Sequence, residues 1–226
     1  AAPNQDDRNM DRQVTHNLTL TTGPINPDLD MKRTGKCKVQ YGLSGSSIWN
    51  TPEQQEVAHV YDKEGKHVGT VNAKRLMVLY RNFMTTARTH PELHKKGNSF
   101  ETEMVQFLRR YKDGYQHITS KRQRTKLNNH WTTPDRYIQT IQQHFNTLHE
   151  RFSSPLNYNT THGIYWSMCK EDKIFGAQHD AFSTVWSGNS QANPEYEHED
   201  MDKAVRWAIH STTINTPSTT VFVLPK

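Results

Sequence analysis

Asn193-Pro194-Glu195-Tyr196 is the stretch of this sequence best equipped for chemistry. An asparagine side-chain oxygen and the backbone carbonyl next to it can both accept hydrogen bonds from an exocyclic amine. An aromatic ring three residues on can stack against the heterocycle that carries the amine. By itself the stretch is weakly specific, because Asn-Pro also opens ordinary turns. Glu195 adds a conflicting charge: a carboxylate stands where an anionic nucleic acid would approach.

Other candidate groups are less pointed. The 13 histidines are scattered, with no pair at metal-ligand spacing on a helix face, so no metal site is expected. Cys37 and Cys169 are the only cysteines, which excludes a disulfide framework and a Cys-rich zinc site and fits two reduced thiols in an intracellular protein. Ser153 and Ser154 have no nearby His and Asp pattern for nucleophilic catalysis. The densest basic cluster holds Lys121, Arg122, Arg124 and Lys126, and serves equally as a solvated loop or as a phosphate contact. A net charge of +5 is compatible with RNA or DNA as a partner.

These groups need elements to hold them. With 226 residues, the chain has room for one domain with an extension or for two small domains. Only 33% of the residues are hydrophobic, which fits long polar extensions or surface buried against partners. No apolar run approaches the ~18 residues of a membrane span. Residues 1–36 read as a polar N-terminal extension whose ordering would require another macromolecule. The opening Ala1-Ala2-Pro3 suits a chain from which an upstream segment has been removed.

Residues 37–149 read as a β-hairpin plus a helical accessory domain. The alternation from Val57 to Val71 around Asp62-Lys63-Glu64-Gly65-Lys66 predicts the hairpin. Leu76, Leu79, Tyr80 and Phe83 predict one helix; Phe100, Met104, Phe107, Leu108 and Tyr111 predict a second. Asn98 or Ser99 would cap the second helix, and Asp113-Gly114 would end it. Tyr137, Ile138, Ile141 and Phe145 predict a third helix with Pro134 in its first turn, and the three helices are expected to share a core.

Residues 150–226 change character. Short mixed segments lead to an acidic-then-apolar helix over Glu197 to Ile209, and then to a buried strand from Thr219 to Leu224. Loop, helix and buried strand make half of a doubly wound α/β unit, with its ligand crevice at the strand ends. The sequence stops directly after that strand, so a second chain or a further segment is expected to complete the sheet.

Taken together, these segments resemble a known family. Glu150-Arg151-Phe152-Ser153-Ser154-Pro155-Leu156-Asn157 is followed by Tyr165-Trp166-Ser167, Asp172, Phe175-Gly176-Ala177, Trp186-Ser187-Gly188 and Asn193-Pro194-Glu195-Tyr196, and Val223-Leu224-Pro225 closes the series. In order and spacing this is similar to the phosphorylated-CTD-interacting-factor family of cap-specific adenosine N6-methyltransferases. Phe107-Leu108-Arg109-Arg110-Tyr111 resembles that family's accessory helix, so the likeness spans about Lys74 to Lys226.

The resemblance implies an α/β fold: a Rossmann-like methyltransferase core, incomplete and ending after a central strand, preceded by a small helical domain and a hairpin. It implies S-adenosylmethionine as cofactor, lying along Ser154, Pro155 and Asn157 and lined by Phe175 and Gly176. It implies Asn193, Pro194 and Tyr196 as the catalytic set that holds an adenine; positioning would carry most of the rate. Glu195 departs from the family's second proline and raises the possibility of a degenerate site. Three functions fit: an RNA adenosine N6-methyltransferase subunit, an inactive structural or RNA-contacting component of a particle such as an organellar ribosome, and a DNA methylase of a mobile element. The first places the chain in the nucleus, the second in the mitochondrial matrix. RNA and other protein chains are the expected partners, and no membrane is.

Overall fold

The computed structural model describes residues 35–43, 56–94, 97–117, 133–214 and 218–225. The chain divides into two compact units, Ala1–Gln116 and His117–Lys226.

In the first unit, β1 (Lys38–Leu43), β2 (Glu56–Tyr61) and β3 (His67–Asn72) form an antiparallel sheet in that order. The β2–β3 hairpin lies where alternation predicts it. Asp62 builds its turn: Oδ1 accepts the Glu64 and Lys66 amides at 3.1 and 2.9 Å, while Gly65 takes the left-handed conformation at φ 80°. The Arg109 guanidinium donates to the other oxygen, Oδ2, at 2.6 Å, so the buried carboxylate is fully engaged.

Asn72 then caps α1 (Ala73–Thr89), its Oδ1 accepting the Lys74 and Arg75 amides. Ser99 caps α2 (Phe100–His117) by accepting the Thr102 amide. Leu76, Leu79, Phe83, Phe100, Met104 and Phe107 are buried, with Phe83 and Phe100 edge to face at 5.5 Å. A Cβ at Gly69 would stand 3.3 Å from Leu108 Cδ1, so glycine lets α2 lie close over β3. The second helix does not stop at Asp113-Gly114 but continues to His117. One interior glycine costs about 1 kcal/mol, too little to end a helix of this length. β1 had no counterpart in the sequence-based expectation.

The second unit holds α3 (Asp135–Phe145), β4 (His149–Glu150), β5 (Ile164–Ser167), β6 (Gln178–His179), β7 (Gly188–Ala192), α4 (His198–Ile214) and β8 (Ser218–Phe222). All five strands are parallel, in the order β6-β5-β4-β7-β8. From β4 the chain adds two strands on one side, then returns to start β7 on the other. The change of direction falls between β4 and β7.

Trp166, Ala181, Trp186, Ala192, Ala204 and Ala208 form this unit's core, with Phe152, Phe182, Trp207 and Phe222 packed against it. Ala204 and Ala208 lie four residues apart on one face of α4, and their small side chains leave room for indoles. Trp186 is anchored at both ends: its ring N–H donates to the Ala181 carbonyl at 2.6 Å, and its amide donates to Ser211 Oγ.

Two expectations change here. The third helix belongs with the parallel sheet rather than with α1 and α2, because Asn159 donates to Asp135 at its start and Gln191 donates to Thr133 just before it. Of its apolar stripe only Ile138 is buried; Tyr137 and Phe145 are about half exposed. The last strand is an edge strand and only partly buried, not central. Among the described residues no helix is long and apolar enough to cross a membrane.

Candidate functional site at the carboxyl ends of the parallel strands

In a parallel sheet every strand ends on the same side, so the loops that leave β4, β5 and β7 gather along one rim. Ser154, Pro155 and Asn157 lie on the loop after β4. Phe175 and Gly176 close the 3₁₀ turn Lys170–Phe175 after β5, and Asn193, Pro194 and Tyr196 follow β7. The first and last groups flank the β4/β7 reversal, where open α/β sheets place their ligands.

The loop after β4 is closed by its own side chains. Asn157 Oδ1 accepts both the Ser154 amide at 2.7 Å and the Ser154 hydroxyl at 2.9 Å, while the Asn157 and Tyr158 amides donate to the Ser154 carbonyl. Ser154 and Pro155 are buried. Tyr158 stacks on Tyr165 with centroids 3.9 Å apart, and the Tyr165 hydroxyl donates to the Phe175 carbonyl at 2.7 Å. These contacts join the two cofactor segments expected from sequence. They also leave the Phe175 side chain fully buried and only Gly176 exposed, in the left-handed conformation at φ 86°.

Asp172 stands beyond the end of β5, where a doubly wound fold offers an acid to a ribose. Its side chain is fully buried and accepts a hydrogen bond from Ser167 Oγ. After β7, Tyr196 does not extend outward. Its hydroxyl donates to Asn193 Oδ1 at 2.9 Å, using one of that oxygen's two acceptor positions. Pro194 is buried, and Glu195 is partly exposed beside it.

Three residues without a role in the sequence-based reading sit under this rim. Glu150 ends β4 buried, its Oε2 accepting the Asn159 amide at 2.8 Å with His162 Nδ1 3.6 Å away. The His162 side chain has no exposed surface. Burial, with a smaller push from His149, lowers its pKa to about 4 against an opposing pull from the Asn159 carbonyl. Arg151 is buried between Trp166 and Trp186, 4.1 and 5.4 Å from their ring centres. It donates to Ser190 Oγ and to the Ser187 carbonyl, and burial lowers its pKa to about 10. Among the described residues Thr147 Oγ1, His149 Nδ1, Gln191 Oε1 and both His162 ring nitrogens are buried without a hydrogen bond of normal geometry. Only the alternation of polar residues across β4 and β7 could have pointed to this cluster, and a two-residue strand is too short to show it.

Lys121, Arg122, Arg124 and Lys126 lie outside the described residues, as does residues 1–34 of the N-terminal extension. Among the described residues no three of His, Cys, Asp and Glu converge as metal ligands.

A search of curated proteins returns no significant match to this chain. A family model described as the phosphorylated CTD interacting factor 1 WW domain matches residues 75–226. The match begins inside α1, leaves the antiparallel sheet outside, and takes in every strand of the parallel sheet. Covering about two thirds of the sequence, it establishes that the chain belongs to the phosphorylated CTD interacting factor 1 family.

Proposed function

We propose that this chain is a methyltransferase-like protein with a Rossmann-like core that serves as a non-catalytic, RNA-contacting subunit of a larger particle. Counted from β4, the strand order is 3-2-1-4-5, the order of doubly wound nucleotide-binding sheets. The Asn-Pro-Glu-Tyr segment follows the fourth strand, at the reversal. Both features support descent from an adenosine methyltransferase.

The single observation that weighs against retained catalysis is the Tyr196 to Asn193 hydrogen bond, which ties the tyrosine hydroxyl to one acceptor position of the asparagine within the chain. The cofactor side supports the same reading. Ser154, Asn157 and Asp172 spend polar atoms on the fold, so as they stand these residues do not fit S-adenosylmethionine. The net positive charge and the basic cluster at Lys121–Lys126 favour RNA. The partly buried edge strand β8, beside half-exposed Leu224, favours a protein neighbour in the assembly. The family relation favours the nucleus.

An active N6-methyltransferase is the second reading, favoured by the presence of Asn193 and Tyr196 at the β4/β7 reversal. Fluorescence anisotropy with a labelled adenosine-containing RNA, alongside a methyl-transfer assay on the same RNA, separates the two. The proposal expects salt-dependent binding that weakens when Lys121, Arg122, Arg124 and Lys126 are changed to alanine, and no methylation. Methylated product, or no RNA binding at low salt, would overturn it.

A further inference from the structure

The β2–β3 hairpin carries a feature that the parallel-sheet unit does not use. Its register runs His59 to Thr70 and Val60 to Gly69, then skips, so that Tyr61 pairs with His67. Val68 is therefore an extra residue on β3, a bulge. His67 and Thr70 are three positions apart and would face opposite sides of a regular strand. The bulge restores them to one side, facing His59 across the ladder.

Three donors converge as a result. His59 Nδ1 lies 3.4 Å from His67 Nε2, and Thr70 Oγ1 lies 3.1 Å from the first and 3.2 Å from the second. A tetrahedral ion with bonds of 2.0–2.1 Å to nitrogen holds neighbouring ligand atoms about 3.3–3.4 Å apart. The two imidazoles already stand at that separation. Their ring centres are 5.5 Å apart and the ring planes are tilted by 55°; coordination would require the rings to turn so that both lone pairs meet at a common point. Tyr61 packs edge-on against His67 at 5.4 Å and fixes one side of the site. His67 and Thr70 are exposed, leaving solvent to supply the remaining ligands.

We propose that His59 and His67, with Thr70 beside them, form a surface site for a borderline divalent transition ion such as zinc(II). Helix-type spacing cannot find such a site, because its ligands come from two strands and meet only through the bulge.

The test is titration of the full-length chain with zinc sulfate, followed by calorimetry and by NMR of the histidine ring nitrogens. The expected result is one equivalent bound, with the His59 and His67 ring signals shifting together. His67→Asn should lower the apparent affinity about tenfold or more, and His90→Asn, an exposed histidine beside Glu92, should leave it unchanged. Unaltered zinc affinity and stoichiometry in His59→Asn/His67→Asn, or shifts confined to other histidines, would overturn the site.

Discussion

Acidification should weaken the parallel-sheet unit through one residue, His162. In the unfolded chain a histidine titrates near 6.5; in the fold, burial holds His162 near 4. Between those values the unfolded state binds a proton that the folded state refuses, so lowering the pH favours unfolding. Stability is complete above about pH 6.5 and is lost progressively toward pH 4. At pH 5 the loss is about 2 kcal/mol, and it is net of the opposing pull from the Asn159 backbone. His149, also lowered by burial first and by Arg151 second, adds a loss of the same sign. The assay is urea unfolding at pH 7.5 and pH 5, followed by tryptophan fluorescence. Of the five tryptophans, Trp131, Trp166, Trp186 and Trp207 fall within this unit and Trp49 within the other, so a Trp49→Phe background makes the signal report it. His162→Leu removes the titration while nearly preserving volume, and it deletes two buried nitrogens that lack normal hydrogen bonds. At pH 7.5 the variant should be as stable as the parent or slightly more so; at pH 5 it should be clearly more stable. Parallel losses in parent and variant would refute the reasoning, as would a variant several kcal/mol less stable at pH 7.5.

Other expectations follow from packing and hydrogen bonding. Trp186→Ala should cost about 3–5 kcal/mol, measured by the same urea unfolding, because the indole is buried in the core and bonded to Ala181. Asp62→Ala should cost about 3 kcal/mol, since it removes two turn hydrogen bonds and a charge-assisted one from Arg109. Arg109→Ala should cost only about 1 kcal/mol, because its side chain is half exposed and Asp62 keeps its amide donors. Thermal unfolding followed by circular dichroism tests this pair, and equal losses would contradict the ranking.

How much of this was legible follows from physical range. The hairpin, α1, α2 and α4 were visible because their signals are local: alternation around Asp62-Lys66, helical spacing of Leu76, Leu79 and Phe83, and acids before the apolar run of α4. The parallel sheet was legible only as one strand and a crevice. β4 and β6 are two residues each, too short to carry a period, and are held by neighbours rather than by propensity. The placement of α3 depended on Asn159 and Gln191, both distant in sequence. For the candidate site, sequence order identified the loops that the strand ends now align. It could not show that Asn157 turns back on Ser154, or Tyr196 on Asn193. Those outcomes depend on which donor is nearest after folding, and residue type carries no record of it.

The central proposal is that the rim of the parallel sheet descends from a methyltransferase layout whose ligand roles its own side chains now fill. Isothermal titration of the full-length chain with S-adenosylmethionine, with adenosine-containing RNA present and absent, tests it most directly. The account predicts no cofactor binding in either condition. Saturable binding with one-to-one stoichiometry, lost in Asn157→Ala, would contradict it.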